Sequence, residues 1–259
     1  MTQPKIAVLG AGANGASIGA DLTRAGHDVV LIDQWPAHVE AMRANGIRIV
    51  LPEETQVTRV RAYHLCDVAT FTEPFDVVLM LVKAYDARWA AQLIEPCLKP
   101  TSLVAGVQNG MTADVIADVV GAERTLGCVI EVSSMMFDPG VVLRHSPPPR
   151  SWFAVGSLDP ATRGREAEVA DLLRCAGSVE IVDNIRAAKW MKLVSNATTL
   201  VTTAILGLPM VDAERLPGMR EVMLRSGQEA LDAGALLGHP VLPIFGLTSD
   251  DMRQSNRVV

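Results

Sequence analysis

Short apolar runs alternate with stretches whose apolar residues recur at helical spacing. Lys5–Leu9 is an apolar run that stops at Gly10 and reads as a strand. From Asn14 to Ala25, Ile18, Leu22 and Ala25 keep helical spacing, and Gly26 supplies the stop. Val29–Ile32 is a second strand, bounded by Asp28 and Asp33. Pro36 starts a helix over His38–Asn45, which Gly46 ends. Gln56–Arg61 alternates polar and apolar residues, so Ile47–Tyr63 reads as a half-exposed strand. Val77–Val82 is apolar throughout and rich in β-branched residues, the pattern of a central strand buried on both faces. A helix over Ala87–Leu98, a strand over Ser102–Val107 and a helix opened by Thr112 follow. Strands at Leu126–Val132, Val141–Leu143 and Phe153–Val155, a helix over Thr162–Ala176 and a strand at Val179–Val182 complete the series, with Asp138-Pro139-Gly140 as a turn. Beyond Asn184 the pattern is helical throughout, with Ile185–Leu206 as one long helix and Met219–Leu237 as another.

The first strand-to-helix turn reads Gly10-Ala11-Gly12-Ala13-Asn14-Gly15, a GxGxxG pattern. Many such patterns arise by chance, but this one follows a buried strand and opens a helix, which is the context a dinucleotide-binding loop needs. Gly10 allows the tight turn, Gly12 lets backbone approach a pyrophosphate, and Gly15 lets helix pack on strand. Ala13 and Asn14 lie at the helix start, where free N–H groups and the positive end of the dipole meet an anion. These features predict an α/β fold. Residues 1–183 would form a Rossmann-type parallel sheet with helices on both faces, and residues 184–259 a smaller all-α substrate and dimerisation domain.

Asp33 ends the second strand, where a carboxylate accepts both ribose hydroxyls and repels a 2′-phosphate; this favours NAD over NADP. Capping the next helix is the other role open to it. Ligands of such sheets bind beyond the carboxyl ends of the strands. Lys83 follows Val77–Val82, and Gln108-Asn109-Gly110-Met111 follows Ser102–Val107, so both positions are candidates. Lys83 also fits a solvated strand end. An Asn-Gly hairpin turn is disfavoured at Asn109 because a helix comes next. In the long second-domain helix Lys192 stands among Trp190, Met191, Leu193 and Val194, with Asn196 one turn later on the same face. A partly desolvated lysine has a lowered pKa and donates a proton near neutral pH; a snorkelling lysine on a core helix is the alternative. Met135-Met136-Phe137 reads as packing rather than as a binding surface.

Composition removes several other classes. The 259 residues carry a net charge of −6 and no basic stripe, against a nucleic-acid partner. The four cysteines form no CxxC pair, so no metal site is expected. No apolar run approaches the ~18 residues of a membrane span. Met1-Thr2-Gln3-Pro4-Lys5 shows no signal-peptide pattern, so the cytoplasm is the expected location.

In order along the chain, Gly10–Gly15, Val82-Lys83-Ala84, Gln108–Met111 and Lys189–Asn196 resemble the ketopantoate reductase (2-dehydropantoate 2-reductase) family. Thr203-Ala204, and Glu229 with Gly238, extend the likeness. The resemblance implies a homodimer that reduces the C2 ketone of a 2-keto acid with NAD or NADP. Lys192 would be the general acid, Asn109 and Asn196 would hold substrate, and Lys83 would lie near the nicotinamide. The chain departs from the family pattern in two places. Leu200 stands where a second asparagine is usual, and the family's late serine and glutamate segment has no counterpart before Asn256–Val259. The first departure points to a related dehydrogenase for another branched 2-hydroxy or keto acid, or an opine-like compound. The second points to a non-catalytic NAD(P)-binding regulator. It also implies a C-terminus that is incomplete, with exposed apolar surface on the helical domain.

Overall fold

In the computed structural model, residues 3–243 are described; Ile244–Val259, where the late family segment would be sought, lie outside them. The chain forms two compact units, one of Met1–Gln108 with Thr112–Ile185, the other of Asn109–Met111 with the chain from Arg186 onward.

The first unit runs β1 (Lys5–Leu9), α1 (Ala13–Arg24), β2 (Asp28–Asp33), α2 (Pro36–Asn45), β3 (Ile47–Val50), β4 (Thr55–Thr58), β5 (Arg61–His64) and β6 (Phe75–Met80). It continues with α3 (Ala87–Ile94), β7 (Leu98–Val107), α4 (Thr112–Val120), β8 (Thr125–Glu131), β9 (Ser134–Met135), β10 (Val141–Arg144), β11 (Trp152–Ser157), α5 (Glu166–Leu173) and β12 (Ser178–Ile181). The main sheet has the order β12-β11-β8-β7-β6-β1-β2-β5. Its six strands from β8 to β5 are parallel. Successive residues of a strand face opposite sides, and here both sides are covered. Ile6, Val8, Leu31 and Leu79 join Ile18 and Leu22 of α1 in one core. Ala7, Leu9, Ile32 and Met80 join Ala90 and Ile94 of α3 and Ile116 of α4 in the other.

Three strand readings change. β11 runs antiparallel to β8, and β12 parallel to β11, so the sheet is not parallel throughout. No crossover helix separates β8 from β11; the chain returns through β9 and β10, and strands without a crossover can pair antiparallel. The single strand read over Ile47–Tyr63 is three. A turn at residues 51–54, closed by Leu51 N–H to Glu54 O at 2.8 Å and carrying Pro52, sends β3 and β4 into a second sheet, β4-β3-β10-β9. β5 rejoins the main sheet beside β2. β6 ends at Met80, opposite Leu9, because its partner β1 ends there. Lys83 therefore stands three residues past the strand.

A buried ion pair ties the second sheet to α1. Arg144 of β10 meets Asp21 of α1, and the two side chains are 1% and 2% exposed. The guanidinium also donates to Ser151 Oγ (3.1 Å), Ala176 O (2.7 Å) and Ser146 O (2.8 Å).

In the second unit α6 (Ile185–Asn196), a π segment (Ala197–Val201) and α7 (Thr202–Leu206) follow without a break, where one regular helix was expected. Four threonine hydroxyls bond back to carbonyls there, Thr198 to Val194 O at 2.9 Å and Thr199 to Ser195 O at 3.0 Å among them. Such back-bonding competes with the helical ladder. A short α8 (Met210–Ala213) precedes α9 (Met219–Leu236). Gly227 and Gly234 stand two turns apart on α9. A Cβ on either would collide, with Thr198 Oγ1 and Trp190 Nε1 respectively, so bare backbone is what lets α9 pack there. Trp190 Nε1 donates to Ala230 O at 3.0 Å and its ring stacks on His239. Leu200, Val201, Ile205, Val222, Leu236 and Leu237 are each more than half exposed. No helix among the described residues is long and apolar enough to cross a membrane.

Removing one partner of a buried pair leaves the other charge unpaired. Arg144→Met should therefore cost ~3–5 kcal/mol in urea unfolding; a loss below ~1 kcal/mol would mean that Arg24 satisfies Asp21 unaided. A Cβ on Gly15 would collide with the Gly10 carbonyl, whereas one on Gly12 meets nothing within 4 Å. Gly15→Ala should lose ~3 kcal/mol or more, and Gly12→Ala no more than ~1 kcal/mol, both read by thermal unfolding.

Candidate active site

The carboxyl ends of β1, β2 and β6 frame a cleft. β1 delivers Gly10 at φ +92°, a conformation that suits glycine. A Cβ there would lie 2.6 Å from Val82 N, so the loop rests directly on the chain leaving β6. Its backbone is anchored from the other side, with Gly10 N–H and Ala11 N–H both donating to Ile32 O (2.9 and 3.2 Å). The first intrahelical bond of α1 runs from Ala16 N–H to Gly12 O. The N–H groups of Ala13, Asn14 and Gly15 thus remain for a ligand, and no acidic residue sits in that first turn to compete with an anion. The Asn14 side chain is directed elsewhere, since its Oδ1 accepts from the Ser134 hydroxyl on β9.

Asp33 is 7% exposed, and its Oδ1 accepts the Trp35 N–H at 2.9 Å, which locks the carboxylate in a tight turn on the cleft wall. Gly10, Gly12, Asp33 and Lys83 all line this cleft, with Trp35 and Met136 among its other walls. Lys83 is exposed and precedes a short 3₁₀ turn over Ala84–Asp86. These residues suit a dinucleotide: open backbone N–H groups and a positive dipole end for the pyrophosphate, a fixed carboxylate for a ribose diol.

Of Met135-Met136-Phe137 only Met136 packs against the core, as expected of the cluster. Met136 is a cleft wall, while Met135 and Phe137 are 43% and 72% exposed. Their segment links β9 to β10 in the second sheet, a pairing that no local pattern announces. Trp35 and His38 were also missed. Trp35 is visible in retrospect, since it falls two residues after the acidic end of β2, where ligand contacts concentrate. His38 is fully buried on α2, and its ring stacks on Trp35 with centroids 5.8 Å apart.

The other candidates belong to the second unit. Asn109 is exposed and follows β7 closely. α6 carries Lys192 and Asn196 one turn apart on one face; Lys192 is 8% exposed and Asn196 half-buried. Lys189, one turn earlier, is more deeply buried still, at 2%.

Comparison with known proteins matches this architecture. Residues 6–158 fit the family model described as ketopantoate reductase PanE/ApbA. A 2-dehydropantoate 2-reductase of Archaeoglobus fulgidus is 26% identical over 244 residues, which span 92% of this chain and 76% of that enzyme. A PanE/ApbA family ketopantoate reductase of Ralstonia eutropha JMP134 superposes with a TM-score of 0.81 at 30% identity, over 98% of this chain and 79% of that one. A D-mandelate dehydrogenase solved with NADH and anilino(oxo)acetate shares the fold, with a TM-score of 0.84 at 21% identity over 92% of this chain and 75% of that one. With a glycine loop, an open helix N-terminus and a fixed carboxylate in one cleft, and a family match over more than half its length, the chain is an oxidoreductase that belongs to the PanE/ApbA ketopantoate reductase family.

Proposed function

We propose that this protein reduces a 2-keto acid, 2-dehydropantoate foremost, to the 2-hydroxy acid with NADH. The observation that carries this reading is the Asp33 carboxylate, fixed beside Gly10 and Gly12 in one cleft of a ketopantoate reductase family chain. Bound there, a reduced nicotinamide dinucleotide supplies a hydride. Gly12, Ala13, Asn14 and Gly15 would hold the pyrophosphate through their backbone, Asp33 the adenosine ribose, and Lys83 the nicotinamide end. A buried anion at Asp33 favours a free 2′-hydroxyl over a 2′-phosphate. Lys192 transfers its proton to the carbonyl oxygen, and with the hydride at C2 this turns C=O into CH–OH and leaves the lysine neutral. A cation at that oxygen also stabilises the developing alkoxide. Asn109 and Asn196 orient the substrate's hydroxyl and carboxylate. In this reading the first unit serves the nucleotide. The second serves the substrate and the pairing of two copies, a role that exposed Val201, Ile205 and Val222 support.

Leu200 favours a second reading. It is 52% exposed and offers no hydrogen bond where the family pattern has an amide, which fits another branched keto acid. Initial rates with a panel of 2-keto acids decide between the two; clear preference for 2-dehydropantoate removes the second. Turnover with no keto acid, despite nucleotide binding, would leave a regulatory binder.

Replacing Lys192 with alanine should lower kcat by ~10²–10⁴ with NADH affinity unchanged, and unchanged turnover would end the acid role. Parallel assays should give NADH at least a ~10-fold advantage over NADPH in kcat/KM, a difference of ~1.4 kcal/mol. Asp33→Ala should erase it, whereas a wild-type preference for NADPH would overturn the assignment of Asp33.

A further inference from the structure

We propose that His38 is a positioning residue for the dinucleotide loop, its imidazole holding the Ala11–Gly12 peptide so that the Gly12 N–H faces the cleft. The ring is completely buried on α2 and uses both nitrogens. Nε2–H donates to Ala11 O at 2.8 Å, and Nδ1 accepts the Gly140 N–H at 2.9 Å. A ring that donates from one nitrogen and accepts at the other is neutral and confined to one tautomer. Burial pushes its pKa below the ordinary value, against the Ala11 bond and the Asp33 charge, which keeps it neutral at pH 7.

Gly140 reaches the ring because it has no side chain. It sits at φ +74° in the turn before β10, and a Cβ there would stand 2.9 Å from Ala41 Cβ on α2. The second sheet and α2 thereby grip the imidazole between them. The consequence for the loop follows from peptide geometry. The chain holds no cis peptide among the described residues, and in a trans peptide the C=O and the following N–H point in opposite directions. Holding the Ala11 carbonyl toward α2 therefore turns the Gly12 N–H the other way. Gly12 lines the cleft, and neither β1 nor α1 uses its N–H. Because Ile32 O takes the Ala11 N–H, the residue is fixed through both of its backbone groups. A preorganised donor binds an anion without the cost of ordering it.

The inference rests on the cleft taking a dinucleotide, and two substitutions separate the bonds. In His38→Gln the amide reaches Ala11 O and keeps the donor; in His38→Asn the shorter side chain keeps only the acceptor for Gly140. NADH titrated calorimetrically into each protein should bind ~10-fold more weakly to the Asn variant and within ~3-fold of wild type to the Gln variant. Met42→Ala, which loosens the same helix one turn beyond His38, should leave NADH affinity unchanged. Imidazole ¹⁵N shifts of the wild-type protein at pH 7 should show the neutral Nε2–H tautomer, a test that needs no variant to fold. Equal losses in the Gln and Asn variants, wild-type affinity in the Asn variant, or an Nδ1–H or charged ring would overturn the proposal. Failure of the wild-type protein to bind NADH or NADPH would instead remove the dinucleotide reading itself, while the tautomer would still report on the His38 geometry.

Discussion

The backbone of α1 lies directly on the backbone of the loop that precedes it. At Gly15 there is no room for a methyl group against the Gly10 carbonyl, and Gly10 in turn presses on Val82. Two glycines thus set the angle at which α1 leaves the sheet. That angle decides where the open N–H groups of the first turn point. It also decides which residues α1 presents along its length. Ile18 and Leu22 go to the core, Gly19 leaves the space that a Cβ would contest with the Leu31 side chain, and Asp21 turns to the second sheet. Loosening the contact would misalign the anion-binding end and the buried charge at once.

The second sheet is small, but its polar contacts fall on the nucleotide loop and its helix. Ser134 engages Asn14, Gly140 reaches Ala11 through His38, and Arg144 pairs with Asp21. Apolar packing alone would tolerate slippage of one layer over another, because dispersion is not directional. Hydrogen bonds to buried groups do not tolerate it, since each lost partner leaves a desolvated donor or acceptor. The three contacts therefore specify one position for the loop more sharply than they add net stability.

The two units contribute different kinds of chemistry. The first brings open backbone N–H groups, a helix dipole and one fixed carboxylate to a single cleft, and the loop's work is geometric. In the second, a buried lysine on α6 and the amides of Asn109 and Asn196 are what the proposed reduction would draw on for a proton and for uncharged hydrogen bonds.

Much of the first unit was legible in the sequence, because the causes are local. Gly10 answers a turn at positive φ and Gly15 a steric demand within one turn of chain, the central strands declare themselves by unbroken apolar runs, and the shared face of Lys192 and Asn196 follows from 3.6 residues per turn. Whatever depends on distant partners was not legible. His38 meets Gly140 across 102 positions, Asn14 meets Ser134 across 120, and Asp21 meets Arg144 across 123. The reversed β11, the departure of β3 and β4 to another sheet, and the placing of Met136 in the cleft wall are of the same kind. Periodicity and turn chemistry act over a few residues and so determined the elements and the glycine loop. Which strands pair, and which polar groups share a buried site, is decided by packing among elements far apart in the chain, and the tertiary structure alone made those choices.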